Sequence, residues 1–316
     1  MESSEVPSQP ESMYTYIDGK WSPVSQKTRG EASGWASQTG SRYQRVEFVT
    51  HRLDSGLYRF FMSDHGMFFA KQTFSTDEAV SLPGLPTDYI VNQMKFFWEQ
   101  ADSYKQHGLI HKRGILLYGA PGCGKTSISK ILCEEIVKRD GVVFAIDDFE
   151  LAARFVREFR LTEPNRTVLT IQEDIESYFD GSAGPAQLKA ALSFLDGQDQ
   201  TNNIVHLATT NEPEKLADRF IKRPGRFDLV IGIHAPTEET RRAYLQHVDP
   251  KLKEETLEEI VKKTNGLSLA YLRELISTYV CLKIPIDETI ERLRTDAKRK
   301  RLKNSDDTRL GFTIGY

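Results

Sequence analysis

The chain has 316 residues, 39% of them hydrophobic, with 42 Lys and Arg against 45 Asp and Glu for a net charge of -3. That length supports one sizeable core with a smaller unit beside it, and the weakly acidic total excludes a global electrostatic pull towards nucleic acid or anionic membranes. Cys123, Cys133 and Cys281 have no metal-ligand spacing and point to reduced thiols. No apolar run reaches the ~18 residues of a membrane span. The polar start MESSEVPSQPESM has the character of neither a secretory signal nor a presequence, so a cytoplasmic location is expected.

In chain order, residues 1–13 are rich in Ser, Glu and Pro and are expected to be disordered. Residues 14–83 are expected to form a small β-rich domain. YTYI opens it, and RYQRVEFVTH, GLYRFFMS and MFFAKQTF, separated by the turn sequences LDSG and SDHG, predict a three-strand meander between residues 42 and 74. A linker, SLPGLPTD, follows. Over 84–236 the pattern alternates. A helix at 88–106 precedes strand GILLYG, a Gly-rich loop and helix TSISKILCEEIVKR. Strand VVFAI, helix ELAARFVREFR, strand TVLTI, helix QLKAALSFL and strands IVHLATT and LVIGIH complete it. Strands alternating with helices predict an α/β fold with a parallel sheet covered on both faces. Residues 237–297 read as helices only, a small helical domain, and 298–316 as a basic tail.

The loop Gly119, Ala120, Pro121, Gly122, Cys123, Gly124, Lys125 and Thr126, followed by Ser127, satisfies G-x-x-x-x-G-K-[ST]. Its glycines let backbone N–H groups wrap the β- and γ-phosphates of a nucleotide, and the following helix turns its positive end towards them. Lys125 adds a full charge, and the Thr126 hydroxyl is a Mg²⁺ ligand. Cys123 occupies a position of the motif that tolerates any residue. Downstream, strand TVLTI runs into Gln172, Glu173, Asp174, Ile175 and Glu176. Paired acids at a strand end suit the second motif of such ATPases, one acid on the Mg²⁺ side and the other polarising the attacking water.

With these motifs in place, the chain resembles the AAA family of ATPases between residues 88 and 236. Within it, the chain is most similar to the subfamily of the mitochondrial chaperone that translocates the Rieske iron–sulfur protein. The segments DYIV, GLIHKRGILLYGAPGCGKTS and QEDIESYF carry the likeness. The resemblance implies a parallel-sheet P-loop ATPase domain with a C-terminal helical lid and a small N-terminal β-rich domain. ATP and Mg²⁺ are the implied ligands. That subfamily has Glu-Asp where most of the family has Asp-Glu. Glu173 then takes the Mg²⁺ side and Asp174 the water, with Ile175 and Glu176 fixing the register. A shift by one position would instead make Glu173 the base and leave Gln172 at the metal side.

Further residues follow from the resemblance. Asn211, at the end of IVHLATT, matches the family's first sensor; the plain alternative is a helix cap or turn residue before Glu212 and Pro213. Arg223 and Arg226 of RPGRFD match arginines that reach a neighbouring subunit's γ-phosphate, with either as the main finger, so a homo-oligomeric ring of six or seven subunits is implied. Thr264, Gly266, Ser268, Ala270 and Leu272 match the lid pattern, with Gly266 and Ala270 near the base. For gripping a polypeptide, Phe155 recurs with Leu151 and Phe159 on one helical face and reads as core, which leaves Phe149 as the substrate-loop residue. The implied work is remodelling, unfolding or translocation of a protein partner, without a membrane span. A motor acting on nucleic acid, to which the basic run 298–301 lends support, or a nucleotide-switched scaffold, are the alternatives.

Overall fold

A computed structural model describes residues 14–17, 20–23, 34–36, 44–46, 52–63, 66–73, 79–178, 184–196, 202–216 and 225–305. The expectations for residues 1–13, Arg223 and the end of the tail beyond 305 lie outside them. Two short antiparallel pairs come first: β1 (Tyr14–Ile17) with β2 (Lys20–Pro23), and β3 (Gly34–Ala36) with β4 (Gln44–Val46). The main body is a seven-stranded sheet of β5 (Gly56–Ser63), β6 (Gly66–Gln72), β7 (Lys112–Tyr118), β8 (Val142–Ala145), β9 (Val168–Gln172), β10 (Ile204–Thr210) and β11 (Leu229–Gly232). Their spatial order is β11-β7-β10-β9-β8-β5-β6. All neighbours pair in parallel except β5 with β6.

Every residue of β10 is buried, as suits a central strand covered on both faces. One face carries α1 (Thr87–Glu99) and α3 (Lys125–Lys138), whose Ile128, Leu132, Cys133 and Ile136 recur at helical spacing and are buried with Met94, Phe97 and Leu117. Between them lies the short α2 (Ala101–Gln106); the single helix expected at 88–106 breaks at Gln100. The other face carries α4 (Phe149–Thr162) and α5 (Gly184–Asp196). The helical domain comprises α6 (Glu238–Val248), α7 (Glu254–Lys263), α8 (Leu269–Ile276) and α9 (Ile286–Ser305), around its own core of Leu245, Ile260, Leu272 and Leu275. The basic run at 298–301 continues α9, so the boundary drawn at 297 falls within a helix.

The three-strand meander is corrected. β5 and β6 do form a hairpin, but β4 pairs with β3, and β5 pairs in parallel with β8. The hairpin thus extends the seven-stranded sheet itself, and no boundary at 83/84 separates it from that sheet. Aromatic packing explains the attachment. Phe60 stacks on Phe155 at 4.7 Å, and Phe69 meets Phe155 edge-on at 5.2 Å and Phe144 at 5.7 Å. Each such pair contributes about 0.5–1.5 kcal/mol beyond its buried area. A polar clasp secures the chain entering β5. Arg166, buried, donates to Glu163 Oε2 at 2.6 Å, to Asp140 Oδ1 at 3.1 Å and to the Leu53 carbonyl, and the Leu53 N–H donates to Glu163 Oε1 at 2.7 Å.

Two outcomes follow. Deleting residues 1–83 strips β5 and β6 from Phe144, Phe155 and Phe159, and the remaining chain is expected to lose cooperative thermal unfolding; a sharp, reversible melt would show the hairpin to be dispensable. Phe155→Ala alone is expected to cost about 3–5 kcal/mol. The second outcome concerns His206 on β10, whose Nδ1 lies 2.7 Å from Thr170 Oγ1. Burial, with a smaller contribution from Lys112, holds its imidazole down to about 3. The unfolded chain binds a proton below about 6.5 that the folded chain refuses. Stability therefore falls as pH drops through that window, at up to ~1.4 kcal/mol per pH unit. Urea unfolding is expected to show about 2 kcal/mol lost between pH 6.5 and 5, with a flatter profile in His206→Gln.

Candidate functional site

The ends of β7, β9 and β10 create the site. β10 pairs Thr210 with Tyr118 of β7 and Ala208 with Gln172 of β9, so all three strands end at about one level. The phosphate-type loop leaves β7 there, and the acid pair leaves β9. Gly119 N donates to Thr210 O at 3.2 Å, and a Cβ at Gly119 would lie 2.1 Å from the Ile233 carbonyl oxygen, which bars any other residue. Gly122 has φ 76°, and a Cβ there would meet the Ala270 Cβ at 2.6 Å. The lid rests on the loop at that point, with Ala270 N donating to Gly122 O at 3.2 Å.

Lys125 begins α3, and its Nζ donates to Gly119 O at 2.6 Å, Ala120 O at 3.2 Å and Asn211 Oδ1 at 2.7 Å. Burial lowers its pKa, against the opposing pull of Cys123, Asp174 and Glu176. Asn211 Nδ2 in turn donates to Asp174 Oδ1 at 2.8 Å. One amide thus joins the loop lysine to the second acid. Asp174 has φ 48°, a left-handed conformation that costs a non-glycine residue about 1 kcal/mol. Its N–H donates to Thr209 Oγ1 at 3.2 Å, which holds the turn.

These groups line a cavity of about 600 Å³ together with Pro121, Gly122, Gly124, Thr126, Ser127, Glu173 and Ala270. The Thr126 hydroxyl and Glu173 carboxylate are hard oxygen donors suited to Mg²⁺, which usually completes its octahedron with water and substrate phosphates. Among the described residues no group of three or more His, Cys, Asp or Glu could hold a metal, and a phosphate-dependent Mg²⁺ site needs none. Cys123 is buried within the loop, and burial raises its thiol pKa, so it is poorly suited to redox chemistry.

Three expected residues lie elsewhere. Phe149 is 1% exposed and sits on no loop. Asp148 Oδ1 caps α4 by accepting from Glu150 N at 2.8 Å and Leu151 N at 2.9 Å. This cap places Phe149 in the first turn, with its ring against Tyr178 at 4.9 Å and Phe194 at 5.8 Å. Phe155, fully buried, is core as expected. Arg226 is 2% exposed and held by its own subunit: Nε donates to Asp196 Oδ1 at 2.5 Å and Nη2 to Asp196 Oδ2 at 2.8 Å. Its segment packs on Gly114, at the end of β7 far from the loop. A guanidinium satisfied in this way is no free finger. Gly266 makes the turn between α7 and α8 with φ 80° and does not line the cavity.

The rest of the wall was not anticipated. Val80, Leu82 and Leu85 come from the segment before α1, Tyr244, His247 and Val248 from α6, and Arg273 from α8. The spacing of 244, 247 and 248 puts those three on one helical face, which was the available signal. Thr240 Oγ1 donates to Pro83 O at 2.7 Å and ties that segment to the lid.

Comparisons with known proteins accord with this site. Residues 115–235 match the model of the family described as "ATPase family associated with various cellular activities (AAA)". The chain is similar to an ATPase family protein 2 homolog of Caenorhabditis elegans, 30% identical over 220 residues, covering 63% of this chain and 30% of that protein. It is 32% identical over 240 residues to the ATP-dependent zinc metalloprotease FtsH of the Aster yellows witches'-broom phytoplasma, covering 66% of this chain and 35% of that protein. It is 30% identical over 167 residues to an "AAA ATPase forming ring-shaped complexes" of Corynebacterium diphtheriae, covering 45% of this chain and 33% of that one. The chain thus spans about a third of the length of these curated relatives. Among the described residues, no helix is long and apolar enough to cross a membrane. The matched segment 115–235 carries the phosphate loop, the acid pair and Asn211, on the strands whose ends meet at the site.

Proposed function

We propose that the protein hydrolyses ATP and works as a homo-oligomeric ring of six or seven subunits that remodels, unfolds or translocates a protein partner. The observation that carries the hydrolytic part is the Lys125–Asn211–Asp174 chain of hydrogen bonds at 2.7 and 2.8 Å. In it, a cation suited to β- and γ-phosphates and a carboxylate suited to water are held by one amide. Loop N–H groups and Lys125 bind the phosphates, and Asp174 orients and polarises the attacking water, with Asn211 sharing it. Thr126 and Glu173 would hold Mg²⁺, which neutralises phosphate charge when bound. The apolar walls from Val80, Leu82 and Tyr244 suit the base and exclude water.

The ring and its protein substrate rest on narrower support. One relative is named for ring-shaped complexes and another as a protease. Placement in the Rieske-chaperone subfamily rests on the segments DYIV, GLIHKRGILLYGAPGCGKTS and QEDIESYF, the last with its Glu173-Asp174 order. With Arg226 bound to Asp196, Arg223 becomes the finger offered to a neighbour, where a guanidinium stabilises charge on the transferred phosphoryl group. The segment from β8 to α4 offers no exposed aromatic grip, so contacts with substrate lie outside Phe149 and Phe155.

Steady-state ATP turnover with Mg²⁺ tests the chemistry. Lys125→Ala is expected to abolish nucleotide binding. Asp174→Asn is expected to bind nucleotide and to lose on the order of 10²-fold or more in kcat; normal turnover there, with loss in Glu173→Gln, would move the base to Glu173. The arginines separate by a different readout. Arg223→Ala is expected to lower turnover on the order of 10³-fold with nucleotide binding kept, and to regain a fraction of activity when mixed with Lys125→Ala subunits. Arg226→Ala is expected chiefly to destabilise the fold, by about 3 kcal/mol, through loss of its buried bidentate pair with Asp196. A fully active monomer at high dilution would remove the ring. Stimulation of turnover by unfolded protein supports the remodelling role, whereas salt-sensitive stimulation by DNA would replace it with the nucleic-acid reading.

A further inference from the structure

One acid at the site has no role in the chemistry described so far. Glu176 lies in a 3-10 turn, Ile175–Tyr178, directly after the acid pair. Its Oε1 accepts the backbone N–H of Asn211 at 3.0 Å, and its Oε2 is buried with no hydrogen-bond partner. A desolvated carboxylate oxygen without a partner is unfavourable unless something nearby compensates it. Here the neighbouring charge is Lys125, which lies within electrostatic reach of both Asp174 and Glu176.

The bond to Asn211 falls where the sheet can no longer supply one. β10 ends at Thr210, whose carbonyl accepts from Gly119 N at 3.2 Å, and Glu212 N turns back to Thr210 Oγ1 at 3.0 Å. The Asn211 N–H lies between these two and goes to Glu176. Everything Asn211 does at the site depends on where its Cα stands. Its side chain must reach Lys125 Nζ with the oxygen and Asp174 with the nitrogen at the same time, and a main chain free to rotate there would lose one contact or the other.

We propose that Glu176 is a positioning residue for ATP hydrolysis: it pins the backbone of Asn211 so that the amide spans Lys125 and Asp174. The role rests on reading the site as an ATP hydrolase. It requires one hydrogen-bond acceptor of the right length at 176. It does not require the negative charge, because the Asn211 N–H is a neutral donor that an amide oxygen can accept.

That distinction sets the experiment. In the full chain, Glu176→Gln keeps the acceptor and removes the charge, while Glu176→Met keeps the length and removes the acceptor. Mg²⁺-ATP turnover is measured across ATP concentrations, with binding of a fluorescent ATP analogue measured separately. Glu176→Met is expected to lose about tenfold in kcat, which corresponds to about 1.4 kcal/mol of barrier, with KM and analogue affinity within about threefold of the wild type. Glu176→Gln is expected to stay within about threefold in kcat. The proposal is overturned if Glu176→Met turns over normally, if Glu176→Gln falls as far as Glu176→Met, or if the loss appears in KM instead of kcat. Should Glu176→Met fail to fold, Glu176→Gln decides alone: retained kcat supports the role and a tenfold loss overturns it. A wild-type chain that binds the analogue but hydrolyses no ATP would overturn the proposed function, and this role with it.

Discussion

Parallel pairing of β10 with β7 on one side and β9 on the other is the constraint from which the site follows. The main-chain ladders fix Thr210 beside Tyr118 and Ala208 beside Gln172. A slip of one residue would move Asn211 by about 3.3 Å and turn every side chain of β10 to the opposite face. Either change would break a contact set that relies on distances of 2.7 and 2.8 Å. Burial on both faces of β10 enforces the register, because each inward position already meets a packed layer from α3 or α5. Apolar packing far from the phosphate loop is therefore what holds the polar groups in place.

The parts of this arrangement that were legible in the sequence are those whose requirement is local. Gly119 to Thr126 form a loop whose geometry depends on its own glycines and on the helix that follows. The acids at 173 and 174 and the amide at 211 were legible because each ends an apolar strand, and strand ends gather at one edge of a parallel sheet. What escaped reading depends on partners distant in the chain. Phe149 was the substrate-loop residue left once Phe155 read as core, yet Asp148 caps α4 and turns the ring inward onto Phe194, 45 residues further on. Arg226 matched a motif of reaching arginines, but its neighbour in space is Asp196 at the end of α5. The β5–β6 hairpin was recognised as a hairpin from alternation and turn residues, whereas its attachment to β8 is a non-local pairing that alternation does not encode. The far wall of the cavity is assembled from residues near 80, 244 and 270, and of these only Ala270 belongs to a pattern readable in the sequence.

The two departures at Phe149 and Arg226 have a common physical basis. Both side chains stand at the edges of packed layers where a neighbouring element offers a well-matched surface: an aromatic cluster for the ring and a carboxylate for the guanidinium. A residue at such an edge is captured by its own subunit when the match is good. A bidentate Arg–Asp pair with one partner nearly fully buried resists being opened to serve a neighbour, since separating it would strand charge in a poorly solvated place.

The segment before α1 has two attachments at once. Leu82 is buried in the lid core and Thr240 bonds to Pro83, while Leu85 packs against both the lid and the layer around α3. Upstream, the same backbone leads back to β6 at the outer edge of the sheet; downstream it runs straight into α1. A polypeptide fastened at both ends and gripped in the middle behaves as a drawstring. Its length is fixed by covalent geometry, so any swing of the lid about the sheet bears on residues 79–86, between the lid contacts and α1. A ligand seated against Val80 and Leu82 would press on that string directly, and the strain would pass along the backbone into α1.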